Sequence, residues 1–433
     1  MHQQKIVFIS SSFGPTNGIA NFEKNLRHEL PSTATKFVFY GLHYEFSPGK
    51  YFYQDGVHHI AACDAFDIFL KEFQDTDIVQ FNGGLDPLSC CVAAYAGVPT
   101  LIEILHQIEI GGLHPATDAI ICVSEFVKKE QCFSNPIVIP NGIDCNKFYY
   151  QEGWRFKEKR VVVQVSNNSK ELYCELGEVA NDLAKDPNCA HFEAYTVGNR
   201  SPIGKIIDLG VCTNMPEIYH NADFLFLLET KSAFGLVFAE AMACGTLPII
   251  ASSSGACTFV EHEKNGWILD CSSDQPIKKQ ANAMLKNILS CVSDNQFIAM
   301  QRNARQCIEK SYSLDGMILK YLDLWDSFAN KKRKKSQSIP SWMNFTLASL
   351  FYNQNNPIFL QYLNAYFTDQ RPLEPYFLKH PMGAAVINFY VKHLCPALIS
   401  RHMQFCVQKI CQKFRDSHCI FPELDFLEKN AQI

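Results

Sequence analysis

The sequence predicts an α/β protein of two doubly wound parallel-sheet domains with a helical extension, and three observations carry that reading. Short apolar runs of strand length alternate with amphipathic runs of helix length, the pattern of βα units around a mostly parallel sheet. The 433 residues suit two cores better than one. A turn-rich stretch, Pro140-Asn-Gly-Ile-Asp144, followed by polar sequence to Lys159, divides the alternation into two series.

In the first series the strand candidates are 5–10, 36–42, 77–81, 100–105, 119–123 and 137–139. Helices fit at 20–30, 86–96 and 125–131, the last with Ser124 as N-cap. In the second series strands fit at 160–165, 191–197, 205–209, 224–228 and 247–251, with helices at 171–185, 215–221 and 236–243. From Gln275 to Ala329 the pattern is helical and ends in an amphipathic run at 313–325. Lys331-Lys-Arg-Lys-Lys335 then reads as a solvated linker, and the Phe- and Tyr-rich stretch 342–427, cut by prolines, reads as packed short helices. The expected domains are residues 1–143, 144–330 and 331–433.

Composition narrows the class. Net charge is −5, which gives the whole chain no electrostatic reason to bind nucleic acid. Residues 331–433 carry 13 Lys/Arg against 6 Asp/Glu, so the extension is basic while the rest is acidic. The 18 cysteines are read as free thiols, because the first residues run straight into the strand Ile6-Val-Phe-Ile9 with no room for a signal-peptide core. The expected location is therefore the cytoplasm, with peripheral membrane contact as the alternative role of the extension. The Cys and His residues of the extension lack the close Cys pairs of a zinc site and are read as buried thiols.

Phe234-Gly-Leu-Val-Phe-Ala-Glu-Ala-Met-Ala-Cys-Gly-Thr-Leu-Pro-Ile-Ile250 is the segment richest in chemistry. It follows a strand, turns at Gly235 and opens a helix, whose first amides lack intrahelical partners and sit at the positive end of its dipole. That is an anion site, with Glu240 one turn in to accept hydrogen bonds from sugar hydroxyls. The plain structural reading is an ordinary βα unit with an exposed glutamate.

This segment resembles the signature of the retaining family 4 glycosyltransferases, enzymes of the GT-B fold: two Rossmann-like domains facing a cleft. Val123-Ser-Glu-Phe-Val-Lys128, Ile139-Pro-Asn-Gly-Ile-Asp144, Tyr219-His-Asn-Ala-Asp223 and Asn265-Gly-Trp-Ile-Leu269 fall in the family's order and approximate spacing. The resemblance implies a UDP- or GDP-sugar donor on the second domain, a glycan or lipid-linked acceptor on the first, and retention of anomeric configuration without an essential metal or other cofactor. Carried over, Gly235, Leu236 and Val237 offer backbone amides to the diphosphate, beside Phe234, and Glu240 holds the ribose. Gly18 closes the Gly-rich loop after the first strand, His106 stands near the transferred sugar, and the backbone around Gly198 lines the base pocket.

The departures from the family pattern are equally specific. The first signature glutamate, which contacts the donor sugar, falls at Ser232. The arginine of the diphosphate-binding pair falls at Asn167, leaving Lys170 as the remaining cation, with Arg200 as a substitute. These departures motivate the alternative of a catalytically inactive relative that binds nucleotide or glycan.

Overall fold

The structure, a computed structural model, describes residues 3–10, 18–31, 35–43, 49–61, 65–82, 89, 92–93, 96–106, 117–130, 136–151, 160–165, 179, 181–183, 185–186, 192–197, 206–228, 232–329 and 331–334. The helices expected at 86–96 and 171–185 fall largely outside these residues. Lys170, Gly198, Arg200, Asn167 and the extension beyond Lys334 lie outside them altogether.

Two sheets form. The first has eight strands in the order β3-β4-β2-β1-β5-β6-β7-β8. Its strands are β1 (Lys5–Ser10), β2 (Lys36–His43), β3 (Tyr51–Gln54), β4 (Val57–Ala61), β5 (Ile78–Asn82), β6 (Thr100–Leu105), β7 (Ala119–Cys122) and β8 (Ile137–Val138). Every pairing is parallel except β3 with β4. The second has six parallel strands in the order β11-β10-β9-β12-β13-β14: β9 (Arg160–Val165), β10 (Phe192–Val197), β11 (Ile206–Asp208), β12 (Phe224–Phe226), β13 (Leu247–Ala251) and β14 (Trp267–Leu269). β1, β5, β6 and β13 are buried along their whole length, which is why they read as unbroken apolar runs rather than alternating ones. Among the described residues the helices are α1 (Gly18–Glu29), α2 (Ala65–Glu72), α3 (Glu125–Glu130), α4 (Met215–His220), α5 (Leu236–Ala243), α6 (Ile277–Cys291), α7 (Asp294–Ser311) and α8 (Leu314–Phe328).

Residues 51–61, which the strand-length runs do not single out, fold as the β3–β4 hairpin. Asp55 and Gly56 turn it with φ of 49° and 81°, the left-handed pair of a tight hairpin turn. An Asp-Gly step between an aromatic run and Val57-His-His-Ile60 is the signal for it. The strand expected over 224–228 stops at Phe226; Leu227 and Leu228 continue buried, and Leu227 N–H still donates to Ile249 O of β13 at 3.3 Å.

The last helix is where packing departs most from chain order. By sequence α8 closes the second series, yet it packs on α1 and the first sheet. Trp325, 1% exposed, donates from its indole to Gln80 Oε1 at 2.9 Å and meets the Phe8 ring edge-on at 5.6 Å. Tyr321 packs on Phe22. The chain therefore crosses between the sheets twice, and the two crossings are bonded together. Ile143 N–H donates to Tyr312 O, and Leu314 N–H donates to Ile143 O. Gly142 fits only because it lacks a side chain, since a Cβ there would lie 2.7 Å from the Leu314 Cα.

The basic run after α8 is not a solvated linker over its described part. Arg333 donates to the carbonyls of Phe73, Thr76 and Ala96, and Lys331 and Lys334 both pair with Asp118. Charges in a run are usually hydrated, but here orphan carbonyls at helix and loop ends offer the guanidinium several acceptors at once. The run staples the end of the crossover to the base of the first sheet.

Truncating Trp325 to Ala removes a buried indole and leaves Gln80 without its donor, an expected loss of ~3–5 kcal/mol. Urea denaturation followed by tryptophan-independent circular dichroism measures it. A loss under ~1 kcal/mol would show that α8 is not anchored through this ring.

Candidate functional site

The signature segment adopts the predicted strand, bend and helix. Gly235 has φ 89° and ψ 57°, a left-handed conformation costly for any residue with a side chain, and it is the N-cap of α5. A Cβ on Gly235 would lie 2.8 Å from the Phe238 ring and 3.2 Å from Ala256 Cβ. The carbonyl of Gly235 accepts from the amides of Phe238 and Ala239, so α5 begins there, and helix geometry leaves the amides of Leu236 and Val237 with no intrahelical acceptor.

Neighbours on both sides lock the bend. The 3₁₀ turn Gly255–Thr258 lies against it, and Gly255 N–H donates to Ser232 O at 2.7 Å. Gly255 admits no side chain, because a Cβ would sit 2.3 Å from the Ala233 carbonyl. From the first unit, Ser124 caps α3 by accepting from Val127 N–H at 3.1 Å, and its hydroxyl donates to the Ala233 carbonyl. One serine thus fulfils the N-cap expectation and ties the two units at the signature loop.

The structure brings several sequence-singled residues together. Gly18, exposed at the start of α1, stands so close to Leu236 that a Cβ would lie 3.2 Å from the Leu236 Cδ1. The end of the first Gly-rich loop therefore faces the head of α5. Gly235 and Phe234 are buried, whereas Ser232, Leu236, Val237 and Glu240 keep partial exposure. The bend is thus not sealed over.

Glu240 lies one turn into α5, and burial raises its carboxyl to about 7, opposed by the Lys147 ammonium and by the Tyr219 hydroxyl. Tyr219 is fully buried and its own ionisation is pushed well up by that burial and by Glu240. Lys147 is placed by Asp144, whose carboxylate accepts its backbone N–H at 3.0 Å, and by Arg305. The Arg305 guanidinium donates to the carbonyls of Cys145 and Phe148 on that loop and to Ala243 O at the end of α5. Neither Lys147 nor Arg305 stands out in the sequence, because both act on Glu240's surroundings through tertiary contacts; only the turn-rich Asn141-Gly142 segment hints at them.

His106 follows the end of β6, its ring edge-on to Phe22 at 4.8 Å. Burial lowers its pKa to about 3, so it is a neutral imidazole, and its Nε2 is buried without a hydrogen-bond partner. Glu23, which follows Phe22 in α1 and is 4% exposed, reaches Ser10 and Asn82 at the carboxyl ends of β1 and β5, and burial raises its carboxyl pKa. The sequence reading did not single out Glu23, because a glutamate inside an amphipathic helix looks solvated. Among the described residues no group of three His, Cys, Asp or Glu side chains is placed to hold a metal ion. No helix of the described residues is long and apolar enough to cross a membrane.

Two facing doubly wound sheets with the last helix returned to the first define the GT-B class of protein. Residues 204–305 match the family model described as Glycosyl transferases group 1. In curated sequences the chain is 26% identical over 117 residues to N-acetyl-alpha-D-glucosaminyl L-malate synthase of Bacillus anthracis, covering 27% of this chain and 29% of that one. It is 27% identical over 126 residues to an uncharacterized glycosyltransferase of Methanocaldococcus jannaschii, covering 28% and 30%. The match thus spans less than a third of these curated relatives' length. Among solved structures, a glycosyltransferase from Rickettsia africae superposes with a TM-score of 0.62 at 14% identity, over 77% of this chain and 100% of that one. Anabaena Alr3699/HepE, solved with UDP-glucose, superposes with a TM-score of 0.56 at 17% identity, over 75% and 99%. The fold is GT-B, and the chain's resemblance to the family 4 glycosyltransferases extends through its signature segment.

Because burial favours the neutral acid at Glu240, its contribution to stability is greatest at low pH and is lost as pH rises through about 7. A Glu240→Gln variant, neutral throughout, is expected to gain on the native chain by on the order of 1–3 kcal/mol between about pH 5 and about pH 8. Urea midpoints across that range measure it, and a difference independent of pH would refute the buried setting.

Proposed function

We propose that the protein is a glycosyltransferase that moves a sugar from a UDP- or GDP-sugar to a sugar or lipid-linked acceptor with retention of anomeric configuration. The observation that carries this reading is the left-handed bend at Gly235, which heads α5 with unpaired amides, has Glu240 one turn in and faces the start of α1 at Gly18. The Anabaena protein, solved with UDP and with UDP-glucose, supports a nucleotide-sugar donor here.

In this reading the amides of Gly235, Leu236 and Val237 receive the diphosphate, and the positive end of α5 offsets charge that grows on the leaving group. Lys170, with Arg200, supplies the cation. Glu240, when ionised, accepts from both ribose hydroxyls, so donor binding improves as pH rises through about 7. His106 is neutral at physiological pH and so serves as a hydrogen-bond partner of the transferred sugar rather than as a charge. The departing phosphate takes the acceptor's proton on the same face, so the reaction needs neither a protein nucleophile nor a metal. Gly198 and its neighbours line the base pocket, and Phe234 backs the bend.

Ser232 favours a second reading, a relative that binds nucleotide or glycan without turnover, because the donor sugar loses a carboxylate contact there. One experiment separates the two. Thermal shifts with UDP, GDP and their sugars, followed by donor hydrolysis assays, are expected to show stabilisation and turnover for the native chain. Glu240→Ala is expected to lose ~100-fold or more in turnover, the scale of removing a principal contact to the reacting complex. Binding without turnover would establish the second reading, and unchanged turnover in the variant would remove the ribose role.

A further inference from the structure

Thiols differ in reactivity through their exposure and through how far their surroundings favour the thiolate, which is the nucleophile. Among the described cysteines, all of them free, Cys271 is the one exposed to solvent. Burial pushes the thiols of Cys145, Cys257 and Cys307 up, and that of Cys122 up to about 11. At Cys271 partial burial acts in the same direction, but hydrogen bonds from Ser253 and Ser252 outweigh it and hold the thiol below its ordinary value. The contacts are specific. The Ser253 hydroxyl donates to Cys271 Sγ at 3.4 Å, and Cys271 N–H donates to Ser252 Oγ at 2.9 Å.

A second cysteine rests on the same two serines. Register sets Ala251 of β13 opposite Leu269 of β14, and Ser252 N–H donates to Leu269 O at 2.8 Å, so Ser252-Ser253 runs beside Asp270-Cys271. The 3₁₀ turn Gly255–Thr258 then folds back on the end of β13. It brings Cys257 Sγ to 3.4 Å from Ser252 O and 3.6 Å from Ala251 O. Cys257 is half-buried, and the charge of a Cys271 thiolate adds to what raises its thiol. Residues 270–276 are exposed throughout, so the stretch carrying Cys271 shifts at less cost than the core. An exposed thiol biased toward its thiolate, beside a half-buried thiol that stays protonated, is the arrangement through which peroxides make a reversible disulfide.

We propose that Cys271 is an oxidation site for peroxides, that Cys257 resolves it as an intramolecular disulfide, and that this bond weakens donor binding. The Cys271 thiolate attacks one oxygen of the peroxide; an S–O bond forms, the O–O bond breaks, and the departing hydroxide takes up the proton that Cys271 lost. The Cys257 sulfur then attacks the Cys271 sulfur. An S–S bond forms, the S–O bond breaks, and the hydroxide released takes the Cys257 proton, so two thiols are oxidised while hydrogen peroxide is reduced to two waters. The link to the donor site is short. Ala256, next to Cys257, is the residue that a side chain on Gly235 would meet at 3.2 Å, and Gly255 N–H holds Ser232 O at 2.7 Å. Tethering this turn to the end of β14 pulls on the lock of the signature bend. That consequence rests on the transferase reading, whereas the disulfide does not.

Peroxide treatment of the reduced full chain, followed by alkylation and peptide mapping, tests the site. Cys271 is expected to oxidise about tenfold faster than Cys122, Cys145, Cys244 or Cys307, and to appear cross-linked to Cys257 until dithiothreitol removes the bond. Cys257→Ser is expected to leave Cys271 as a sulfenic acid that dimedone traps, and Cys271→Ser to leave Cys257 reduced over the same period. A native chain in which Cys271 oxidises no faster than those four overturns the proposal. So does a Cys271 sulfenic acid that persists in the native chain, or one that pairs with a different cysteine. Thermal shifts with UDP, on the native chain before and after peroxide, read the coupling. Oxidation is expected to weaken UDP by about tenfold, with recovery in dithiothreitol, while Cys271→Ser keeps its affinity through the treatment. Equal UDP binding by reduced and disulfide-bonded chains overturns the link to the donor site. A reduced chain that forms the disulfide yet never binds UDP leaves the oxidation site assigned and defeats the transferase reading instead.

Discussion

A single left-handed residue carries the geometry of the site. Any side chain at Gly235 would meet Phe238 and Ala256, and its backbone angles would strain every other residue type. Without that bend α5 would not begin where it does, and its first amides would not face Gly18 across the cleft. The bend is not left to local preference. Gly255 N–H and the Ser124 hydroxyl bind successive carbonyls, Ser232 and Ala233, on its approach, one from the same unit and one from the other. Helix α5 itself is almost uniformly apolar and buried, so its orientation is set by the core and its N-terminus is rigid by consequence.

Glu240 shows the tension between a stable fold and a working site. A carboxyl on a buried helix is driven toward its neutral form, which suits the core but not recognition of hydroxyl donors. Lys147 and Tyr219 oppose that drive, and Arg305 holds the loop carrying Lys147 by three carbonyls. The carboxyl titrates near 7 because burial outweighs these two influences. Perturbed groups of this kind gather at functional sites, and the same is true of neutral His106 and of Glu23 at the ends of the first sheet's strands.

The crossover is the second constraint. Helix α8 leaves the second series, passes the Ile143 bonds and seats Trp325 among Phe8, Gln80 and Tyr321. Arg333, with Lys331 before it and Lys334 after it, closes the arrangement on the base of the first sheet. A charged run thus ends as a structural clasp. Charge along the chain suggested only a solvated linker, whereas its acceptors come from helix and loop ends distant in sequence.

Most strands, the helices α5 and α8 and the bend at Gly235 were legible in the sequence, because periodicity, continuous apolar runs and glycine at a forced turn are local signals. The β3–β4 hairpin was legible through Asp55-Gly56 but hidden by its histidines and tyrosines, which do not alternate cleanly between apolar and polar. Which sheet α8 serves, the neutral state of His106 and the near-neutral titration of Glu240 were decided only by the tertiary structure. Each depends on desolvation or on partners tens to hundreds of residues away, and neither quantity is written in the order of neighbouring residues.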